Sequence, residues 1–221
     1  PWSMTLGASR DYEIIRKVGQ RIGEQERLLG VHMSFSPVAD INTNPLNPII
    51  GNRSFGENPD KVAKQVVALM EGHHQAGILT SAKHFPGHGD TQTDSHSSLA
   101  MIPSDSSRLW SIELNPFIDV VKAGVDAIMI AHVHAPDFQP ESDIPATLSK
   151  FWVTDILKNK IGYKGIIITD GMGMGGVTKN YADDYAIIEA VKAGCDVIIQ
   201  NYDIVGSINA IEDAVNNNEI S

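Results

Sequence analysis

One unit recurs along this chain: a helix that ends in glycine, then a short apolar strand, then polar residues. Glycine suits the end of a helix because it reaches the left-handed conformation without a Cβ clash. The strands are continuous apolar runs, which is typical of strands covered on both faces. Alternating strands and helices predict a parallel sheet and an α/β fold. The glycines are Gly30, Gly77, Gly124, Gly165 and Gly194, and the expected strands cover 31–40, 78–84, 125–132, 166–170 and 195–200.

These repeats favour a (β/α)8 TIM-type barrel. A doubly wound open sheet is the alternative, although no glycine-rich phosphate-binding fingerprint follows a strand. Five strands do not close an eight-stranded barrel, so we expect the first strands to lie upstream and predict one partial barrel domain over 1–221. The active site of a barrel forms at the C-terminal ends of its strands. Here those ends carry Asp40, Lys83, His84, His132, Asp170, Gln200 and Asn201.

The charge balance limits the class of partner. The chain has 27 acidic residues against 17 lysines and arginines, a formal net charge of −10. Nucleic acids and anionic membrane surfaces both require a cationic face, so we expect neither as a partner. No hydrophobic stretch approaches the length of a membrane span. Cys195 is the only cysteine, so no disulfide within the chain is possible and cysteine usage leaves the compartment open.

The segment 83–96 is the richest in groups that can do chemistry. Pro86, Gly87 and Gly89 exclude a regular helix, so we expect an irregular loop that leaves a strand. Three interpretations compete. Asp94 orients His96 for proton transfer; or the loop holds a metal; or its histidines cap surface turns. The metal site would draw on His84, His88, Asp90, Asp94 and His96, but Pro86 and Gly87 disrupt the helix that the spacing of a zinc site requires.

Other strand ends offer further candidates. Asp170 ends a very apolar strand, where a carboxylate needs partners or a function, and the glycines at 171, 173, 175 and 176 would give a substrate access to the backbone. Asp40 could simply cap a turn, because Asn42 and Asn44 follow it. Asp126 and Asp196 lie at strand starts and are interpreted as structural.

His132 and His134 form a second histidine pair. Two histidines at this spacing at a strand end could hold a metal, as in a barrel hydrolase. The favoured interpretation is that His132 packs beneath the loops with its hydrogen bonds satisfied, while His134 is exposed.

The loop also carries a family resemblance. Lys83-His84-Phe85-Pro86-Gly87-His88-Gly89 followed by Asp94-Ser95-His96 resembles glycoside hydrolase family 3, in its bacterial β-N-acetylglucosaminidase (β-N-acetylhexosaminidase) branch. Supporting stretches cover 35–40, 51–56, 145–149 and 169–174. The likeness extends along nearly the whole chain.

The resemblance implies a retaining hydrolase that removes terminal β-linked N-acetylglucosamine, as found in peptidoglycan or chitin fragments. By position, Asp170 matches the family's nucleophile, and His96, assisted by Asp94, matches its acid/base. Arg53, Lys83 and His84 match residues that hold the sugar hydroxyls. The implied partner is a small carbohydrate, with no cofactor and no metal.

One part of the family pattern is absent. An Asp-x-Glu-Gly-Gly-type segment that helps to grip the sugar is not found, and residues 1–8 resemble the stretch directly after that segment in the family. We therefore expect an additional N-terminal segment or domain outside this chain, together with its targeting information. Three alternatives stay open: a phosphorylase of the same family, a metal-dependent barrel amidohydrolase using His132, His134 and Asp170, and a non-catalytic sugar-binding protein.

Overall fold

A computed structural model describes residues 1–199 and 203–220. Its α-helices are α1 Ser3–Ser9, α2 Tyr12–Leu28, α3 Pro59–Gln75, α4 Ser106–Ser111, α5 Asn115–Lys122, α6 Gly175–Thr178, α7 Asp183–Ala193 and α8 Ile204–Asn216. Its strands are β1 Met33–Ser34, β2 Leu79–Phe85, β3 Ala100–Met101, β4 Ala127–Ile130, β5 Val133–His134 and β6 Ile166–Thr169. Short 3₁₀ helices cover Gly51–Arg53 and Ala146–Leu148, and a π-helix covers Phe151–Lys160.

The main sheet is parallel, in the order β1-β2-β4-β6. An isolated bridge between Ile168 and Val197 adds a further pairing beside β6. The predicted α/β class and the parallel sheet are therefore confirmed. Among the described residues, no pairing joins β1 to β6 or to Val197, so these strands form an open arc.

The first predicted strand is shorter than expected. Within 31–40 only Met33–Ser34 pairs as a regular strand, followed by a single bridge between Val38 and Lys83. Pro37 interrupts this run, because proline has no backbone N–H to donate to a neighbouring strand. The chain still follows β2, since Ala39 N donates to Lys83 O at 2.6 Å.

Four of the five predicted glycines do follow the end of a helix. Gly30, Gly77, Gly124 and Gly194 all have positive φ angles. The prediction was wrong for Gly165. The positive φ of 83° after the π-helix belongs to Gly162. A Cβ at Gly165 would lie 2.4 Å from the Tyr163 hydroxyl, which donates to Asp126 O at 2.9 Å.

The core lies between the sheet and the helices that cover it. Every residue of β4 is buried, which agrees with the continuous apolar run of a central parallel strand. Phe85 meets Phe117 and Trp152 in edge-on ring contacts at 5.3 and 6.0 Å between centroids. These three buried rings fix α5 and the π-helix against the end of β2.

Helices α2 and α3 approach closely because glycines face each other across their contact. A Cβ on Gly72 would lie 2.1 Å from Arg16 O, and one on Gly19 would lie 2.4 Å from Leu69 O. Asp11 and Asn58 cap the N-termini of these two helices through their side chains, as such residues commonly do.

A second, two-stranded parallel sheet was not predicted. It pairs Ala100 with Val133 and Met101 with His134. This pairing ties the chain that follows the 83–96 loop to the segment after β4. None of the described helices is long and apolar enough to cross a membrane.

Candidate active site

The predicted strand-end residues come together at one edge of the sheet. β2 ends with Lys83, His84 and Phe85, while His132 follows β4 and Asp170 follows β6. Because the sheet is parallel, these C-terminal strand ends share an edge. The predicted contribution of Gln200 and Asn201 lies outside the described residues.

Asp40 does more than cap a turn. Its carboxylate is fully buried and accepts from His84 Nδ1 at 2.7 Å and from the backbone N of His88 at 2.7 Å. Burial acts to raise the pKa of Asp40, but the charges and hydrogen bonds of His84 and His88 outweigh it and hold that pKa below the usual range. Asp40 is therefore an anion that orients the His84 ring.

Asp170 is half-buried and lies near groups that favour its ionised form. Its Oδ1 accepts from the backbone N of Gly171 at 2.8 Å. Burial acts to raise the pKa of Asp170, but His84, His132, the Gly171 N–H and Lys83 together lower it. The carboxylate is thus kept ionised, which a nucleophile requires.

Arg53, Lys83 and His84 form the basic side of the site. Burial and the neighbouring charge of Arg53 lower the pKa of Lys83, while Asp170 and Asp40 oppose that shift. Arg53 Nη2 lies 3.5 Å from His84 Nε2. Lys83 and His84 therefore lie close enough to Asp170 to affect its charge, and Arg53 adjoins Lys83 and His84.

Asp94 and His96 form a hydrogen-bonded pair on the loop. His96 Nδ1 donates to Asp94 Oδ1 at 2.7 Å, and the His96 backbone N donates to the same oxygen at 2.8 Å. The imidazole side chain is 61% exposed. Nε2 of His96 is left for a partner outside this pair, as an acid/base requires.

The loop that carries this pair is joined to the segment after Asp170. Gly175 N donates to His96 O at 3.0 Å, and Gly176 N donates to Ser95 O at 2.9 Å. A Cβ on Gly175 would lie 2.8 Å from His96 O. We expected these two glycines to give a substrate access to the backbone. Instead, because they have no Cβ, they let the loop pack closely against this segment.

The loop's other polar groups are engaged elsewhere. His88 lies between the hydroxyls of Thr91 and Ser95, at 2.7 and 2.8 Å, and Asp90 accepts from Arg108 at 2.9 Å. In the described part of the chain, no three His, Cys, Asp or Glu residues are grouped so that they could hold a metal ion. The geometry therefore gives no support to the metal interpretation of this loop.

The histidines after β4 follow the favoured interpretation only in part. His132 contacts Thr147 Oγ1 at 2.8 Å through Nδ1 and Gly171 O at 3.0 Å through Nε2. His134 was predicted to be exposed, but it is 3% exposed and lies in β5, which pairs with β3. Asp126 and Asp196 accept backbone N–H groups of Thr80 and Ile167, which agrees with structural roles.

The sequence named Asp40 and His88 as candidates but did not predict the contacts that they make. The partners of Asp40 lie 44 and 48 positions along the chain, so only the tertiary fold brings them together. The sequence does place Asp40 at a strand end, which was a usable signal. His88 was named only as a possible metal ligand, and its contacts with Thr91 and Ser95 depend on how the loop folds.

Comparison with known proteins identifies the family of the chain. Residues 1–221 match the family described as Glycosyl hydrolase family 3 N terminal domain. The chain belongs to glycoside hydrolase family 3. The N-terminal domain of this family is a (β/α)8 barrel, so the open arc of parallel strands is part of the barrel fold that the sequence predicted.

Curated family members and solved structures resemble the chain closely. It is 38% identical over 210 residues to β-hexosaminidase A of Pseudoalteromonas piscicida, covering 89% of this chain and 35% of that protein. It is 34% identical to a β-hexosaminidase of Idiomarina loihiensis, covering 89% and 58%. A family 3 β-N-acetylglucosaminidase structure from Paenibacillus sp. str. FPU-7 superposes with a TM-score of 0.96 at 39% identity, covering 100% and 42%. The chain therefore spans only part of each of these proteins.

Proposed function

We propose that this protein is a retaining β-N-acetylhexosaminidase that removes terminal β-linked N-acetylglucosamine from fragments of the peptidoglycan or chitin type. One observation carries the proposal: the loop bearing the Asp94–His96 pair is hydrogen-bonded to the segment that follows the ionised Asp170. The names of the 34–38% identical relatives support the substrate class.

The first half of the reaction is glycosyl transfer to the enzyme. A carboxylate oxygen of Asp170 attacks the anomeric carbon and forms a C–O bond while the glycosidic C–O bond breaks. Protonated His96 donates its Nε2 proton to the departing oxygen, so the aglycone leaves as a neutral alcohol. Asp94 stabilises the imidazolium through the 2.7 Å hydrogen bond at Nδ1.

The second half returns the enzyme to its starting state. Neutral His96 accepts a proton from water, and the oxygen of that water attacks the anomeric carbon of the glycosyl-enzyme. The bond to Asp170 breaks, and the sugar leaves with its original β configuration. Two inversions thus give net retention.

Histidine in place of a second carboxyl group has a physical advantage here. Retaining glycosidases usually bring two carboxyl groups close together, and ionisation of both creates like charges. A histidine changes between neutral and cationic, so its charge never repels the Asp170 anion. Arg53, Lys83 and His84 would hold the sugar hydroxyls, with His84 oriented by buried Asp40.

The nucleophile can be tested by covalent labelling. A fluorinated N-acetylglucosaminide that transfers rapidly and hydrolyses slowly should add one sugar to the full-length protein, and peptide mapping should find it on Asp170. A label on any other residue would refute the assignment. Asp170→Asn should prevent labelling and abolish activity.

The acid/base can be tested by changing the leaving group. His96→Ala should lower kcat/KM for alkyl N-acetylglucosaminides by about 10²–10⁴-fold, and much less for dinitrophenyl ones, which leave without a proton. Equal losses for both would remove His96 from the acid role.

Product analysis in phosphate buffer should yield free N-acetylglucosamine; a sugar 1-phosphate would instead show the protein to be a phosphorylase.

A further inference from the structure

The loop 83–96, called the catalytic loop below, contains at its base a histidine that the proposed reaction does not use. His88 is 1% exposed, and its ring lies between two hydroxyl groups. Nδ1 is 2.7 Å from Thr91 Oγ1, and Nε2 is 2.8 Å from Ser95 Oγ. The ring therefore connects two points of the same loop across its interior.

His88 is itself held firmly at the backbone. Its N–H donates to buried Asp40 Oδ1 at 2.7 Å, and its carbonyl accepts from Asn47 Nδ2 at 2.8 Å. Asp40 and Asn47 both precede the loop in the chain and are themselves buried. The backbone of His88 is thus held in place, and its side chain can position the rest of the loop.

Ser95 is the other end of this connection, and it stands between Asp94 and His96. Its side chain faces inward, so the residue is 2% exposed, whereas the His96 side chain is 61% exposed. Its backbone O accepts from Gly176 N at 2.9 Å. One buried serine therefore joins the exposed acid/base pair both to His88 and to the segment after Asp170.

We propose that His88 is a positioning residue, which sets the place of His96 relative to Asp170 through its hydrogen bond to Ser95. This inference rests on the proposed function, because it assigns His88 a task only if His96 is the acid/base. A shift of about 1 Å in a catalytic group can cost about 100-fold in rate, so a fixed anchor matters for a group on an exposed loop.

The chemistry of the ring fits this task. Burial, followed by the charge of His84, lowers the pKa of His88, so the ring is neutral when the enzyme works near neutral pH. A neutral imidazole has one donor and one acceptor nitrogen. Hydroxyls can play either part, so Thr91 and Ser95 satisfy both nitrogens in either tautomer.

Two amide variants of His88 separate the two contacts. The amide of asparagine can occupy the Nδ1 position, so His88→Asn keeps the contact to Thr91 and loses the one to Ser95. The longer glutamine can reach the Nε2 position, so His88→Gln keeps the contact to Ser95. Ser95→Ala removes the hydroxyl while leaving His88 unchanged, and Ser104→Ala removes a comparable buried hydroxyl outside the loop.

The measurement is kcat/KM of the full-length protein across aryl and alkyl N-acetylglucosaminides of increasing leaving-group basicity. We expect Ser95→Ala and His88→Asn to lower kcat/KM for alkyl substrates by about 10–100-fold and to leave dinitrophenyl substrates nearly unchanged. His88→Gln and Ser104→Ala should keep the wild-type dependence. Labelling of Asp170 gives the fraction of folded, active enzyme in each preparation.

Each other outcome has a defined meaning. Equal losses across all leaving groups in Ser95→Ala would overturn the inference, since a general packing defect acts alike on all substrates. Equal behaviour of His88→Asn and His88→Gln would also overturn it. If neither His88 variant folds, Ser95→Ala alone decides. If His96→Ala itself shows no leaving-group dependence, the proposed function fails; if only Ser95→Ala lacks it, only this inference fails.

Discussion

At the scale of single residues, Asp40 shows how a buried charge is used. A buried carboxylate is costly unless it is hydrogen-bonded and paired. Asp40 meets this condition through the ring of His84 and the backbone N–H groups of His84 and His88. One anion therefore fixes both the ring of His84, which we propose binds the sugar, and the base of the loop 83–96.

Replacing this anion should weaken both the fold and the site. We expect Asp40→Asn to lower the free energy of unfolding by about 2 kcal/mol and to raise KM, because His84 loses its acceptor. Chemical denaturation and steady-state kinetics measure the two effects. An unchanged KM would show that Asp40 serves stability alone.

The effect of Asp40→Asn on the free energy of unfolding should depend on pH. The pKa of Asp40 is lower in the folded protein than the ordinary value of 3.8, so its ionisation stabilises the fold fully above that value. The contribution is lost as the pH falls through the folded pKa. The stability difference between wild type and Asp40→Asn should thus be constant near neutrality and shrink below about pH 4.

Cys195 offers a second residue-scale prediction. Burial, with the charge of Asp196, raises the pKa of its thiol to about 12. The thiolate is the reactive form, so the native protein should resist a thiol reagent at pH 8. Reaction should become fast only in denaturant, and rapid labelling of the native protein would contradict the buried position.

At the scale of elements, close backbone contacts at glycine have two different purposes. Gly72 lets α3 approach α2, whereas Gly176 lets the loop 83–96 lie against the segment after Asp170. A Cβ would meet Arg16 O at 2.1 Å in the first case and Ser95 O at 2.9 Å in the second. We therefore expect a substitution at Gly72 to affect mainly stability and a substitution at Gly176 to affect mainly activity.

Alanine at each glycine tests this separation. Gly72→Ala should destabilise the fold by about 1–3 kcal/mol, the usual cost of overpacking, and leave the kcat of folded enzyme unchanged. Gly176→Ala should lower kcat/KM through displacement of Ser95, with a smaller change in Tm. Thermal melts and kinetics on the same samples distinguish the two, and matching losses in both variants would contradict separate purposes.

The elements also show what the sequence could predict. Continuous apolar runs located β2, β4 and β6, because strands covered on both faces leave a local signature. Gly165 was misjudged because a glycine before a strand can serve a close contact, here with Tyr163, as well as a helix end. The pairing of β3 with β5 was missed because strands of two residues carry no periodic pattern. The burial of His134, which lies in β5, was missed as well.

Some features of the candidate site could likewise be predicted from the sequence, and others could not. Asp94 and His96 are two positions apart, so their hydrogen bond could be expected from a turn. Arg53, Lys83 and Asp170 came from family resemblance and strand-end position. The contacts of Asp40 and Asn47 with His88 cross 48 and 41 positions, and one sequence contains no measure of such long-range proximity.

At the scale of the whole molecule, charge governs behaviour in solution. The formal net charge is −10 at pH 7, and the pI is about 5.1. Like charge keeps molecules apart near neutrality, and this repulsion vanishes at the pI. Light scattering against pH should therefore show a solubility minimum near pH 5; a minimum near pH 7 would mean that exposed apolar surface dominates instead.

The anchoring of the loop 83–96 has a consequence for exchanging parts between relatives. The segment 83–96 looks like a cassette that could be transplanted as one contiguous peptide. Its conformation, however, depends on Asp40 and Asn47 upstream and on Gly175 and Gly176 far downstream. A graft that moved the peptide alone would transfer the motif without its supports, so a working chimera must carry all three pieces.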